Sequence, residues 1–268
     1  MKNKLTNHIK TKIGKWQVLY SPSKNFLWIK NAKVAGTSMY RGPLSEIKDL
    51  LAYKKNSEEF DKWWDSLTDI KLKSYFIFTF VRNPLDRCVS AFSHIIVEEA
   101  FQRHHDIWHI ISPGEKYGND ELTFDELYRL FIVFTMRLLK SYNINDDSIH
   151  WMPQSILTEC DGETFVDYIG KYETLTEDWK FIANKLDINT NLANIPISQT
   201  TKNAGGGTRE VLQGLNWRAY FMDLDIIQLV SDYYGRDIFL FGYGDTVTEL
   251  AKLRYSQVGK TSSGANNG

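Results

Sequence analysis

Three apolar runs stand out along the chain: Phe26-Leu-Trp-Ile29, Tyr75-Phe-Ile-Phe-Thr-Phe-Val81 and Phe165-Val-Asp-Tyr-Ile169. The first two are nearly continuous, which predicts central strands buried on both faces. After Val81 come Asn83-Pro84 and then Leu85, Cys88, Val89, Phe92, Ile95 and Ile96. That i, i+3, i+4, i+7 stripe with proline in its first turn predicts a helix. A second helix is expected to about Leu186, with Thr174 and Thr176 as N-cap candidates and Glu177 and Asp178 in its first turn. Residues 123–139 form a third, with Thr123 and Glu126 spaced as a capping box. Residues 217–234 read as one long amphipathic helix. Strands alternating with helices predict an α/β fold, a central parallel sheet with right-handed crossovers and helices on its flanks.

No 20–50-residue period recurs, which excludes a solenoid or propeller. Residues 111–120 and 200–208, the latter with three consecutive glycines, are irregular, and 256–268 are expected to be a disordered tail. No linker divides the chain, so one domain over 1–255 is expected, with its core at about 26–243.

Composition narrows the class. With 43% hydrophobic and 24% charged residues in 268, the chain can bury a sizeable core. Two cysteines, Cys88 and Cys160, cannot form a disulfide framework and read as reduced thiols of a cytoplasmic protein. No run approaches 18 apolar residues, so no transmembrane helix is expected. The net charge of −1 conceals an asymmetry: residues 1–56 carry 12 Lys/Arg against 2 Asp/Glu, and the other 212 carry 20 against 31. A basic N-terminal fifth hints at an anionic ligand.

Two segments carry candidate chemistry. Lys33-Val-Ala-Gly36-Thr37-Ser38 leaves the first strand and enters a helix. A small-residue turn there offers backbone N–H groups to an anion, Lys33 adds a mobile charge, and Thr37 and Ser38 add hydroxyls. It is not a Walker motif, because the lysine precedes the glycine. Gly259-Lys260-Thr261 is a decoy, with Arg254 where the first Walker glycine belongs. In the second segment Arg82 ends a buried strand, where open α/β sheets bind ligands, and Ser90 follows two helical turns later. A Mg²⁺-dependent NTPase would instead want an Asp at the end of a neighbouring strand to hold the metal. Two anion sites on neighbouring strand ends suit a nucleoside phosphorylated at both ends.

These segments resemble the two donor signatures of sulfotransferases that use 3′-phosphoadenosine 5′-phosphosulfate (PAPS). His150-Trp151-x-Pro153-Gln154, the stretch from Tyr168 to Asp178 and the closing Asp237-Ile-Phe-Leu-Phe-Gly-Tyr243 resemble the Golgi carbohydrate sulfotransferases of the chondroitin 4-O type. The resemblance implies a P-loop-like sulfotransferase fold and transfer of a sulfuryl group to a hydroxyl by in-line displacement. It implies that Lys33, Ala35, Gly36, Thr37 and Ser38 cradle the 5′-phosphosulfate, with Lys33 catalytic, and that Arg82 and Ser90 hold the 3′-phosphate. Tyr172 is a candidate for the adenine, with a packed aromatic as the plainer reading. Lys202 and Arg209 flank the glycine run in a segment resembling a donor-covering loop. The Golgi relatives carry a membrane anchor and this chain shows none, which favours a cytoplasmic enzyme.

The acceptor proton needs a base, and histidine is the default near neutral pH. Residues 39–81, where many relatives carry the base, contain no histidine. His150 is the first candidate and His94 the second, with Glu46 and Asp49 as substitutes. His105 and His109, with Asp106, have ligand spacing but no third partner, and no metal is expected. They and Arg103, near Trp108, are available to an acceptor instead. The expected acceptor is a carbohydrate hydroxyl, with a small natural-product alcohol or phenol next. No nucleic acid partner is expected. An NTP-dependent kinase and a non-catalytic anion- or glycan-binding module are the alternatives of other classes.

Overall fold

The computed structural model describes residues 3–53, 57–93, 123–138, 148–188 and 216–263. They fall into two compact units, Met1–Arg82 with Ile144–Ser198 and Asn83–Asn143 with Gln199–Gly268. Each unit is assembled from two chain segments, which is why no linker announces the division.

The first unit holds a five-stranded sheet of order β3-β1-β2-β4-β7. Its strands are β1 Val18–Ser21, β2 Phe26–Ile29, β3 Leu51–Ala52, β4 Phe76–Val81 and β7 Tyr168–Lys171. β2, β4 and β7 run parallel, as expected, but β1 is antiparallel to both β2 and β3, so the sheet is mixed. The reason is local. Only Pro22-Ser-Lys-Asn25 separates β1 from β2, with Asn25 left-handed at φ 50°. So short a turn joins antiparallel strands only.

β2 and β4 are almost wholly buried, which matches their unbroken apolar pattern. On one sheet face Phe26, Trp28, Phe78 and Phe80 pack with Leu175, Trp179 and Ile182 of the helix Leu175–Lys185, and with Val34, Met39 and Leu44. The third strand lies three residues later than its apolar run predicts. Residues before it first close a hairpin, β5 Glu159–Cys160 with β6 Glu163–Thr164. Its Asp161-Gly162 loop has φ of 53° and 83°, the pattern of a tight two-residue turn. Phe165 N–H then bonds the Thr158 carbonyl, and Asp167 pairs with Ile77 through backbone and side chain, before β7 begins.

Gly170 explains how closely β7 approaches its neighbour. A Cβ there would lie 2.5 Å from Phe80 Cε1 and 3.1 Å from Asp178 Cβ. Asp178 in turn accepts from Tyr168 Oη (2.6 Å), Lys171 N (2.7 Å) and Thr174 Oγ1 (2.7 Å), so it ties the strand end to the following helix. Thr174 occupies the N-cap position, but its hydroxyl serves Asp178 rather than a backbone N–H, and Thr176 lies inside the helix. Burial and the Asp178 bond push the Tyr168 hydroxyl up to about 12.

The second unit's described residues are helical. Helix Pro84–Ser93 opens with the Asn83 side chain accepting from Leu85 N at 3.0 Å. Helix Phe124–Leu138 carries the expected capping box, with Glu126 N bonding Thr123 Oγ1 and Thr123 N bonding Glu126 Oε2. Phe92, Phe131, Phe134, Tyr220 and Phe221 form its aromatic core. The single helix expected over 217–234 is instead a short turn, Trp217–Tyr220, and a separate helix, Leu224–Tyr233. Asn216 caps the first and Asp223 caps the second, so two N-cap side chains restart the backbone. Arg87 and Asp237 are both fully buried, and the opposite charge of Asp237 offsets part of the penalty that burial imposes on the guanidinium. The C-terminal helix runs from Gly244 to Ser263 and so includes residues 256–263, where a disordered tail is expected, as well as the Walker decoy.

Candidate active site

Parallel pairing sets the site's frame. Ile29 is level with Thr79, and Val81 with Lys171, so the loop after β2, Arg82 after β4 and Tyr172 after β7 leave three adjacent strands at one sheet edge. Carboxyl edges of this kind are where α/β sheets bind ligands.

The loop after β2 is built from unusual backbone. Lys33 and Ala35 are left-handed at φ 64° and 51°, while Val34 between them is not. Alternation of this sort turns successive N–H groups towards one side, as in anion-binding concavities. The helix Gly36–Arg41 follows, with Ala35 at its N-cap position and Ser38 buried. The space a Gly36 side chain would fill is taken by Lys30, whose Cε lies 3.1 Å from the position of a Cβ. The Thr37 side chain lies outside the described residues.

Arg82 joins this loop directly. Its Nη1 donates to the Lys33 carbonyl oxygen at 3.1 Å, and its guanidinium lies 4.4 Å from the centre of the Tyr172 ring. Tyr172 therefore supports the Arg82 plane, a contact not anticipated by either reading of it from the sequence. Ser90 lies on helix Pro84–Ser93 in the second unit, partly buried.

The backbone of Arg82 is held by a side chain. Gln154 Oε1 accepts from Arg82 N at 3.0 Å, and Gln154 Nε2 donates to Arg82 O at 2.8 Å. The same Oε1 accepts from Asn31 Nδ2 at 2.8 Å, and Asn31 Nδ2 also donates to Phe80 O at 3.1 Å. Gln154 and Asn31 are buried. Neither is among the site residues expected from sequence, although Gln154 closes the His150-Trp151 motif. A polar residue inside the run from Trp151 to Leu157 was the available signal.

His150 ends the one-turn helix Ser148–His150, half-buried, and Trp151 and Met152 after it are buried. It lies four positions before Gln154, a reach of at most about 14 Å, which tethers it near the end of β4. His94, His105, His109, Arg103, Lys202 and Arg209 lie outside the described residues. The two substitute carboxylates do not serve the loop. The helix ends at Arg41, Glu46 sits in the turn Pro43–Glu46, and Asp49 accepts from Ser21 Oγ at 2.8 Å and Ser23 N at 2.6 Å. Those serines flank the start of β2, whereas the Lys33 loop leaves its end. Both carboxylates border an open groove of about 400 Å³ with Lys24 and Asp187. Burial works to raise the Asp49 carboxyl, but the bonds from Ser23 and Ser21 hold it below the usual range.

Residues 16–244 match the profile described as Sulfotransferase family. The chain belongs to that family. Both loop signatures, the His150 segment and Tyr172 lie inside the matched range of the sulfotransferase. Carbohydrate sulfotransferase 14 of Danio rerio is 30% identical over 128 residues, covering 43% of this chain and 31% of that relative. The match thus spans about a third of the relative's length. No solved structure matches the chain significantly. Among the described residues no helix is long and apolar enough to cross a membrane, and no group of three or more His, Cys, Asp or Glu side chains is placed to hold a metal. Cys88 and Cys160 are unpaired, and burial pushes the Cys88 thiol up to about 12.

Proposed function

We propose that the chain transfers a sulfuryl group from PAPS to a carbohydrate hydroxyl. The observation that carries this reading is the joining of Lys33 and Arg82, from adjacent parallel strands, in one cationic edge of a sulfotransferase-family chain. The name of the zebrafish relative supports the choice of carbohydrate. The residues fit such a donor in kind: two cations, a loop of alternating backbone hand, and an aromatic ring under the guanidinium.

PAPS, when bound, supplies a sulfuryl group on a phosphate that departs as the 3′,5′-bisphosphate. Arg82 binds the 3′-phosphate, and its planar fork suits that role better than a point charge. Lys33 and the N–H groups of Ala35, Gly36 and Ser38 hold the 5′ end, where Lys33 stabilises charge growing on the leaving oxygen. His150 accepts the acceptor proton, the role a neutral imidazole takes as a general base. The fold about this edge is P-loop-like in plan, with an anion loop between a central strand and a helix. Two free cysteines suit a reducing compartment, so a cytoplasmic location belongs to the same proposal.

A panel of glycan, alcohol and phenol acceptors with radiolabelled PAPS tests it. Label is expected on a glycan, to be lost with Lys33→Ala, while His150→Ala lowers kcat by about 10²-fold or more with little change in donor affinity. Bisphosphate binding without transfer to any hydroxyl would make the protein a binding module. A rise in acceptor KM alone for His150→Ala would make that residue a positioning group.

A further inference from the structure

The Gln154 amide acts as a substitute strand. Pairing of β4 with β7 ends at Val81 opposite Lys171, and Arg82 is the next residue. Its N–H and C=O nonetheless have partners, because one buried side chain supplies an acceptor and a donor at the required spacing, 3.0 and 2.8 Å. Of the residues of this length only glutamine offers both, since glutamate lacks the donor. The same Gln154 oxygen takes a hydrogen from Asn31, two positions before Lys33. Asn31 spends both amide hydrogens on Gln154 and Phe80, which fixes its orientation and leaves its buried Oδ1 with no hydrogen-bond partner. An acceptor kept buried at a desolvation penalty argues that the two donated bonds matter.

We infer that Gln154 is a positioning residue that couples the two cationic halves of the donor site. This rests on the donor reading above. Through Arg82's backbone it sets the base of the guanidinium, whose far end is set by the Lys33 carbonyl and the Tyr172 ring. Through Asn31 it sets the start of the Lys33 loop. One amide thereby fixes the separation of the two anion sites before any ligand arrives, and preorganisation of this kind is realised as affinity.

The test is calorimetric titration of adenosine 3′,5′-bisphosphate and of adenosine 5′-monophosphate into the full chain, with denaturation midpoints alongside. The variants are Gln154→Glu, Gln154→Ala, Arg82→Ala and the Arg82→Ala/Gln154→Glu double. Gln154→Glu keeps the volume and both accepted bonds but sets oxygen against the Arg82 carbonyl. It is expected to weaken the bisphosphate about tenfold, as loss of a buried hydrogen bond does when fully transmitted. Gln154→Ala, which also loses the Asn31 bond, should weaken the 5′-monophosphate too, whereas Arg82→Ala should spare the latter. The double variant should lose less than the product of the single losses. Wild-type affinity for both nucleotides in Gln154→Glu and Gln154→Ala would overturn the inference. So would losses that multiply independently of Arg82. A Gln154→Glu chain that no longer unfolds cooperatively would assign the residue to folding instead. Failure of the unmodified chain to bind the bisphosphate is a separate result, which overturns the donor reading and the inference with it.

Discussion

Lys33 and Ala35 each hold a left-handed backbone, at φ 64° and 51°, without being glycine. A side chain in that region costs about 1–2 kcal/mol, and functional loops are where such strain collects. At Lys33 the proposed role uses the side chain as a cation. At Ala35 it is a methyl group with no assigned chemistry, so Ala35→Gly should relieve the strain. Set against the roughly 0.5–1 kcal/mol that glycine adds to unfolding entropy, a net stabilisation of about 0.5–1 kcal/mol is expected. A raised denaturation midpoint with donor affinity retained would show it, and a lowered midpoint would mean the methyl packs to advantage. The positions of Lys33, Gly36, Ser38 and Arg82 just beyond two strands were legible in the sequence, because small residues and cations after apolar runs are local signals. Asn31 and Gln154 were not. Their roles come from partners 123 and 72 positions away, and no local pattern encodes such a pairing.

Among the elements, β2 and β4 followed directly from their apolar runs, and the helix Pro84–Ser93 from its stripe and proline. β1 has no such run, since Val18-Leu19-Tyr20 gives way to the polar Ser21, although the Pro22-to-Asn25 turn marks a hairpin. The third apolar run, 165–169, begins before the region that pairs as β7. Gly170 fixes where that pairing falls. Gly170→Ala would push a methyl group into the buried Phe80 ring at 2.5 Å. Overpacking of that order costs about 1–3 kcal/mol. Urea midpoints should fall accordingly, and affinity at the proposed donor edge should weaken with them, since Tyr172 follows two residues later. An unchanged midpoint would mean β7 can slide away from β4.

Over the whole molecule, the basic N-terminal segment gains a partial account. Lys4 pairs with Asp161, Lys15 with Asp61 at 2.5 Å, and Lys24 Nζ donates to the Asp187 carbonyl at 2.5 Å. These lysines fasten the N-terminal segment to its own unit rather than awaiting a ligand, though exposed pairs stabilise little. Carboxylates matter more. Asp69 accepts from Leu5 N, Thr6 N and Thr6 Oγ1. Burial works to raise its pKa, but those bonds outweigh it and hold the group below its ordinary value, as they do for Asp49. A folded pKa lower than the unfolded one contributes stability above the unfolded value, and that contribution is lost as pH falls through the folded value. Urea midpoints should therefore be level from about pH 6 to 5 and fall below about pH 4. Asp69→Asn should flatten that fall, and an unaltered acid limb would exclude Asp69 as a contributor.

The amino-acid sequence alone determined the buried strands, the loop cations and the family resemblance, because each is written in neighbouring residues or in short ordered motifs. Only the tertiary structure decided that the sheet is mixed, that Glu46 and Asp49 lie away from the Lys33 loop, and that a side-chain amide holds Arg82. Those outcomes depend on which distant segments pair, and pairing is settled by the joint burial of surfaces far apart in the chain.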